Sequence, residues 1–184
     1  NTLAIGGGIA NTFLLAKGHK IGNSLCEPGE TKTALHILEK ARKNACKIIL
    51  PIDVQVSRDL SPNSEVNHVK VSDIQPSESI FDIGPKTTQR IESALDKCKT
   101  VVWNGPLGLF EHQPFDRSSL QIAQNIAHLS SHGRLQSIAG GGETIAAIKR
   151  ANVAEQFTYL STGGGAFLEF IEGHELPGIK GFLT

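Results

Sequence analysis

Residues 135–144 read Leu135-Gln136-Ser137-Ile138-Ala139-Gly140-Gly141-Gly142-Glu143-Thr144: a short apolar run, three glycines, then a helix-like pattern through residue 150. A strand that ends in glycines and turns at once into a helix is the local signature of an α/β unit. The same grammar occurs twice more. Leu3-Ala4-Ile5 runs into Gly6-Gly7-Gly8 and a helical pattern over residues 9–17. Phe157-Thr158-Tyr159-Leu160 leads to Gly163-Gly164-Gly165 and a helical pattern over residues 166–172. Two further strand candidates cover residues 100–103, ahead of Asn104-Gly105-Pro106-Leu107-Gly108, and residues 47–50, ahead of Pro51-Ile52-Asp53.

Amphipathic helical stretches separate these strands. Ala34, Leu35, Leu38 and Ala41 form one predicted stripe, Ile91, Ala94, Leu95 and Cys98 a second, and Ile122, Ala123, Ile126, Ala127 and Leu129 a third. Residues 54–79 are polar and rich in turn formers. The imperfect alternation of Val66, Val69 and Val71 predicts a long excursion with one or two edge strands. Strands alternating with helices predict a Rossmann-like, three-layer α/β fold with a mainly parallel sheet and helices on both faces. No low-complexity linker divides the chain, so residues 1–184 are read as one domain.

Composition narrows the function. With 39% apolar and 20% charged residues, the 184-residue chain has an ordinary globular make-up. Eighteen basic residues balance eighteen acidic ones, which gives no general attraction to nucleic acid or an anionic membrane. No apolar run approaches the ~20 residues needed to span a bilayer. Cys26, Cys46 and Cys98 are widely spaced and form no CxxC pair, so reduced thiols are expected rather than disulfides or a zinc site. The seven histidines show no HExxH or paired ligand spacing, and none is assigned to metal or catalysis. The chain opens on Asn1 and holds no methionine, which is expected of an excised or processed piece.

In a parallel sheet the strand-to-helix turns share the carboxyl edge, where open α/β sheets bind ligands. Glycine lets a ligand approach the backbone, and the helix that follows aims free N–H groups and its positive dipole end at an anion. One GGG reads best as a tight turn; three at equivalent strand ends favour a phosphate ligand. The phosphate loop GxxxxGKS or GxxxxGKT is missing, and Asn11, Ile145 and Leu168 break the dinucleotide fingerprint GxGxxG after the three triplets. A mononucleotide is therefore expected over NAD. Glu143 is a candidate Mg²⁺ ligand or a plain helix-N-terminal acid. Thr144 either offers its hydroxyl or backbone N–H to phosphate or starts the helix. Glu111 either accepts from ribose hydroxyls or is solvated, and Lys149 reads as a solvated helix residue.

Five segments carry a family resemblance: Gly6-Gly7-Gly8-Ile9-Ala10-Asn11-Thr12-Phe13, Asp82-Ile83-Gly84-Pro85, residues 102–111 (VWNGPLGLFE), Gly140-Gly141-Gly142-Glu143-Thr144, and residues 161–169 (STGGGAFLE), continuing through Leu176-Pro177-Gly178. In this order they closely resemble the C-terminal, nucleotide-binding half of phosphoglycerate kinase. The resemblance implies a cytoplasmic, monomeric glycolytic phosphotransferase. It would move phosphate reversibly between 1,3-bisphosphoglycerate and ADP, giving ATP and 3-phosphoglycerate, with Mg²⁺ on the nucleotide. It places Gly6, Gly7 and Gly8 beside adenine with Leu25 and Phe81, Asn104 and Pro106 along the nucleotide, and Glu111 on ribose. Gly141, Gly142, Glu143 and Thr144 would hold phosphates, Glu143 also Mg²⁺, and the Gly163, Gly164 and Gly165 backbone would face the transferring phosphoryl group. The family usually has Asp at the position of Glu143 and Lys at that of His174. The extra methylene of Glu143, ~1.5 Å long, leaves direct or water-mediated Mg²⁺ contact open. The phosphoglycerate-binding half and the lysine-bearing GGAKVxDK segment are expected upstream of Asn1, so this chain alone is expected to be inactive. A noncatalytic nucleotide-binding module and, less favoured, a dehydrogenase cofactor domain are the competing readings.

Overall fold

The computed structural model describes residues 1–61, 64–164, 166, 169 and 172–174. The chain forms two compact units. Unit 1 comprises residues 1–97 and 106–122, and unit 2 comprises residues 98–105 and 123–184.

In unit 1, β1 (Thr2–Ala4) pairs in parallel with β2 (Lys47–Ile49), joined through α1 (Gly7–Ala16) and α2 (Thr31–Lys43). Ile5, Ala10, Phe13 and Ala34 form the buried core there, with Ile37, Leu38 and Ile48 packed against it. The α2 stripe therefore differs from expectation. Leu35 is 49% exposed and Ile37 takes the inward position, which makes the face Ala34, Ile37, Leu38 and Ala41 at i, i+3, i+4 and i+7.

A second sheet in unit 1 is antiparallel, ordered β4 (Asn67–Lys70), β3 (Asp53–Ser57), β5 (Ser79–Ile83). The polar excursion does carry an edge strand, β4, and beside it runs the central, wholly buried β3. Its polar residues are tolerated because each finds a partner. Asp53 accepts the backbone N–H of Lys86 (2.9 Å) and Thr87 (2.8 Å), Gln55 Nε2 donates to Asp82 (3.3 Å), and Ser57 Oγ donates to Glu65 O (2.9 Å). Asp53 thus caps α3 (Pro85–Leu95), whose own preceding residue Gly84 has no side chain to do so. Val54, Val56, Leu14, Ile21, Val71 and Ile74 form the core beneath this sheet.

Unit 2 carries the parallel sheet β6 (Thr100–Asn104), β7 (Gln136–Gly140), β8 (Tyr159–Leu160). Ser137 and Thr158 exchange backbone-to-hydroxyl bonds of 3.0 Å each, and Trp103 stacks with Phe157 at 6.5 Å. Helix α5 (Gly142–Arg150) follows β7 directly. The boundary between the units falls inside α4 (Arg117–Ser131), whose Ile122, Ala123, Ile126, Ala127 and Leu129 are all buried, as their spacing predicts. The predicted helix over residues 166–172 falls largely outside the described residues, and Leu176, Pro177 and Gly178 lie wholly outside them.

Candidate functional site

The three glycines that open α1 differ in their local surroundings. A Cβ on Gly6 would stand 3.0 Å from Leu107 Cα and 2.8 Å from its Cδ2, so a side chain there would crowd the Leu107 backbone. Gly7 adopts φ +60 and donates its N–H to Leu107 O at 3.1 Å. A Cβ on Gly8 would meet only Leu25, at ordinary distances of 3.5 Å to Cδ2, 3.6 Å to Cγ and 3.7 Å to the carbonyl oxygen. Leu25 itself is 81% exposed, and its carbonyl accepts from the buried Asn11 side chain at 3.0 Å. An apolar side chain held out in solvent beside a glycine backbone is a surface suited to a flat apolar group.

The segment bearing Pro106 and Glu111 is fastened inside unit 1 from several sides. Leu107 N–H donates to Ser119 Oγ at 2.9 Å, and Leu109 N–H donates to Phe81 O at 2.7 Å. Phe81 is half-buried with its ring 4.9 Å from that of Phe115. Glu111 is exposed and Pro106 half-buried.

Asp82, which carried no role in the sequence reading, sits at the centre of this segment's support. Only 1% exposed, it accepts from Ile83 N–H (2.8 Å), Ser118 N–H (3.1 Å) and Gln55 Nε2 (3.3 Å), and from the Ser118 hydroxyl. It therefore caps the first turn of α4 from another element, while Gly108 lies so close that any side chain there would strike the carboxyl. Burial pushes the Asp82 carboxyl up from 3.8 to about 7; the nearby Asp116 charge adds to the rise, and the Ser118 and Ile83 hydrogen bonds oppose it. The available signal was an aspartate interrupting the otherwise apolar β5 just before Gly84-Pro85.

In unit 2, the turn between β7 and α5 joins several of the predicted residues. Gly141 has φ +87, and a Cβ on it would lie 2.9 Å from Asn104 Nδ2. That Asn104 amide donates to Gly140 O at 3.0 Å. Thr144 is fully buried, and its hydroxyl accepts the Gly105 N–H at 2.6 Å. The first bond of α5 runs from Ile145 N–H to Gly141 O, so the N–H groups of Gly142, Glu143 and Thr144 precede the helical ladder. Glu143 is exposed in that first turn. Beyond β8, Ser161 N–H donates to Ala139 O at 2.8 Å and Gly163 N–H to Ser161 Oγ at 3.2 Å. Gly163 and Gly164 are exposed; Gly165 lies outside the described residues. Gly6, Gly7, Gly8, Leu25, Phe81, Pro106 and Glu111 thus belong to unit 1, and Asn104, Gly141, Gly142, Glu143, Thr144, Gly163 and Gly164 to unit 2.

Among the described residues no three or more His, Cys, Asp or Glu side chains gather to hold a metal. A lone exposed carboxylate at an anion-favouring helix end nevertheless fits Mg²⁺, which typically takes one or two carboxylates and completes its shell with phosphate oxygens and water.

Strands that pass through glycine turns into helix N-termini define an α/β protein of the kind that meets anionic ligands at those ends. Comparison with known proteins narrows this class. The phosphoglycerate kinase family model matches residues 1–174. Curated phosphoglycerate kinases of Caulobacter vibrioides and Xanthobacter flavus are 46% and 48% identical over 177 and 178 residues, or 96% and 97% of this chain. Among solved structures, phosphoglycerate kinase from Coxiella burnetii superposes with a TM-score of 0.91 at 42% identity over 97% of the chain. The enzyme from Pyrococcus horikoshii OT3 gives 0.77 at 29% identity over 96%. The chain belongs to the phosphoglycerate kinase family, and its fold is the α/β, Rossmann-like one expected. It spans 44–45% of the length of these relatives.

Proposed function

We propose that residues 1–184 are the C-terminal nucleotide-binding domain of a cytoplasmic, monomeric phosphoglycerate kinase, binding Mg·ADP and Mg·ATP. The observation that carries this reading is the first turn of α5. There a left-handed Gly141, three N–H groups ahead of the helical ladder and an exposed Glu143 stand together in a chain of this family. In this reading Gly141, Gly142 and Thr144 hold phosphates through backbone N–H groups, Asn104 lies along the nucleotide, and Glu143 is the Mg²⁺ ligand. Gly6, Gly7, Gly8, Leu25 and Phe81 serve adenine, Pro106 lies along the nucleotide and Glu111 serves ribose. The Thr144 hydroxyl already accepts from Gly105, so its backbone N–H is the better phosphate donor.

In the reaction, a terminal phosphate oxygen of ADP bonds to the phosphorus of the acyl phosphate. The bond from that phosphorus to the carboxyl oxygen breaks, and 3-phosphoglycerate leaves with the electron pair. Bound Mg²⁺ supplies charge neutralisation at the nucleotide phosphates. Backbone N–H groups at Gly163, Gly164 and Gly165 stabilise the equatorial oxygens of the phosphoryl group, and no general base is required. The acidic substrate and its basic binding residues belong to the N-terminal half of the longer protein. Neither nucleic acid nor membrane is a partner in this reading. Among the described residues no helix is long and apolar enough to cross a bilayer.

Calorimetric titration with ADP, Mg·ADP and NAD tests the reading. Mg·ADP should bind most tightly, and the chain alone should show no turnover in a coupled assay. Addition of the N-terminal half should restore turnover; ADP binding without restoration would favour a noncatalytic nucleotide module, and preference for NAD a dehydrogenase domain. Glu143→Gln removes a charge-assisted contact worth about 1.5–3 kcal/mol. It should weaken Mg·ADP roughly tenfold or more while leaving metal-free ADP nearly unchanged. Equal weakening of both would give Glu143 a structural role instead.

A further inference from the structure

No paired histidine spacing was expected, but His128 and His132 are such a pair, four residues apart where α4 ends. The helical pattern continues through the pair, since His132 N–H donates to His128 O at 3.3 Å. Spacing of i, i+4 puts both side chains on one helix face. Their ring centroids are 4.4 Å apart with the planes inclined by 46°, and both residues are exposed.

A second observation concerns the second nitrogen of His132. Its Nδ1 lies 2.8 Å from the His128 carbonyl oxygen, which can only accept, so Nδ1 carries the proton. The lone pair is then on Nε2, at the outer end of the ring. Donation of one ring N–H to a backbone carbonyl is the arrangement that orients metal-ligating imidazoles and fixes their tautomer. The end of α4 also carries the negative pole of the helix dipole, which favours a cation.

We infer that His128 and His132 form a surface chelate for a borderline transition-metal ion, Cu²⁺, Ni²⁺ or Zn²⁺, with water completing the shell. Two imidazoles without carboxylates select these ions over Mg²⁺ or Ca²⁺, and Cu²⁺ should bind most tightly of the three. The bound ion bridges the last turn of α4 and holds it helical up to Gly133, where the chain turns toward β7. This site is separate from the nucleotide reading and does not depend on it.

The test is calorimetric titration of the whole chain with Ni²⁺, alongside His128→Ala, His132→Ala and the exposed control His36→Ala on α2. Circular dichroism establishes that each variant is folded. A loss of affinity of tenfold or more from each α4 variant, with His36→Ala unchanged, is expected; a smaller loss from either, or an equal loss from His36→Ala, overturns the proposal. Electron paramagnetic resonance of the Cu²⁺-loaded wild type gives an independent reading. Two coordinated imidazole nitrogens are expected, and a single one overturns two-point chelation.

Discussion

Replacing Asp82 with Asn should flatten the pH dependence of stability in the range where the wild type loses it. The carboxyl is raised from 3.8 to about 7 in the folded chain, chiefly by burial. Below about pH 4 the folded and unfolded chains both hold the proton. Between about 4 and 7 the folded state holds it and the unfolded state does not, so stability falls as pH rises; above 7 both are ionised and the loss is complete. At 1.36 kcal/mol per unit, about three units correspond to an upper figure of about 4 kcal/mol, of which about 3 falls between pH 5 and 8. That is a large part of a typical domain's 5–15 kcal/mol. Asn keeps the size and the acceptor for Ser118. Once the Gln55 amide turns over, so that its Oε1 rather than its Nε2 faces residue 82, the new amide can donate to it, and that buried oxygen otherwise has no hydrogen-bond partner. Urea unfolding followed by circular dichroism at pH 5, 6, 7 and 8 gives both profiles, and titrations common to the two proteins cancel in their difference. The wild type should lose about 3 kcal/mol more than Asp82→Asn across that range. Parallel profiles would refute the reasoning, because they would mean that Asp82 is ionised when folded throughout.

Further substitutions at Gly6, Gly8 and Thr144 separate packing from ligand contact. Gly6→Ala would force a methyl group to within 3.0 Å of Leu107 Cα, a crowding that costs about 1–3 kcal/mol. Gly8→Ala meets only Leu25 at 3.5 Å and should leave the urea midpoint nearly unchanged while reducing adenosine affinity in a direct titration. Thr144→Val removes the acceptor of the Gly105 N–H and should cost about 1–3 kcal/mol, with Thr144→Ser restoring most of it. If Thr144→Ser recovers stability and ADP affinity together, the hydroxyl acts through the Asn104–Gly105 turn; affinity that falls with stability recovered would assign the side chain a direct ligand contact.

What the sequence made legible was whatever depends on neighbours a few residues away. The apolar runs before each glycine triplet mark β1, β7 and β8 to within two residues, because strand burial and the turn that ends it are written consecutively. The inward face of α2 differs from expectation at one residue, since Leu35 and Ile37 are equally apolar and only packing against the cluster of Ile5, Ala10, Phe13 and Ala34 chooses between them. The central strand β3 was not singled out, for a deeper reason. Its alternating Asp53, Gln55 and Ser57 look solvent-facing, and they are buried because residues 8 to 34 positions away supply their partners. Asp82, quoted only as part of a motif, was given no role on the same grounds: its chief partner, Ser118, is 36 residues distant. The glycine triplets show the limit most clearly. Gly6, Gly7 and Gly8 are one repeated letter in the sequence, yet Gly6 answers to the Leu107 backbone, Gly7 to a left-handed φ, and Gly8 to neither. A phosphate-loop or adenine-wall reading of the triplet therefore gains nothing from Gly6 or Gly7, whose presence packing and conformation already explain. Gly8 is where local structure leaves room for a ligand to be the reason, and it faces the exposed Leu25.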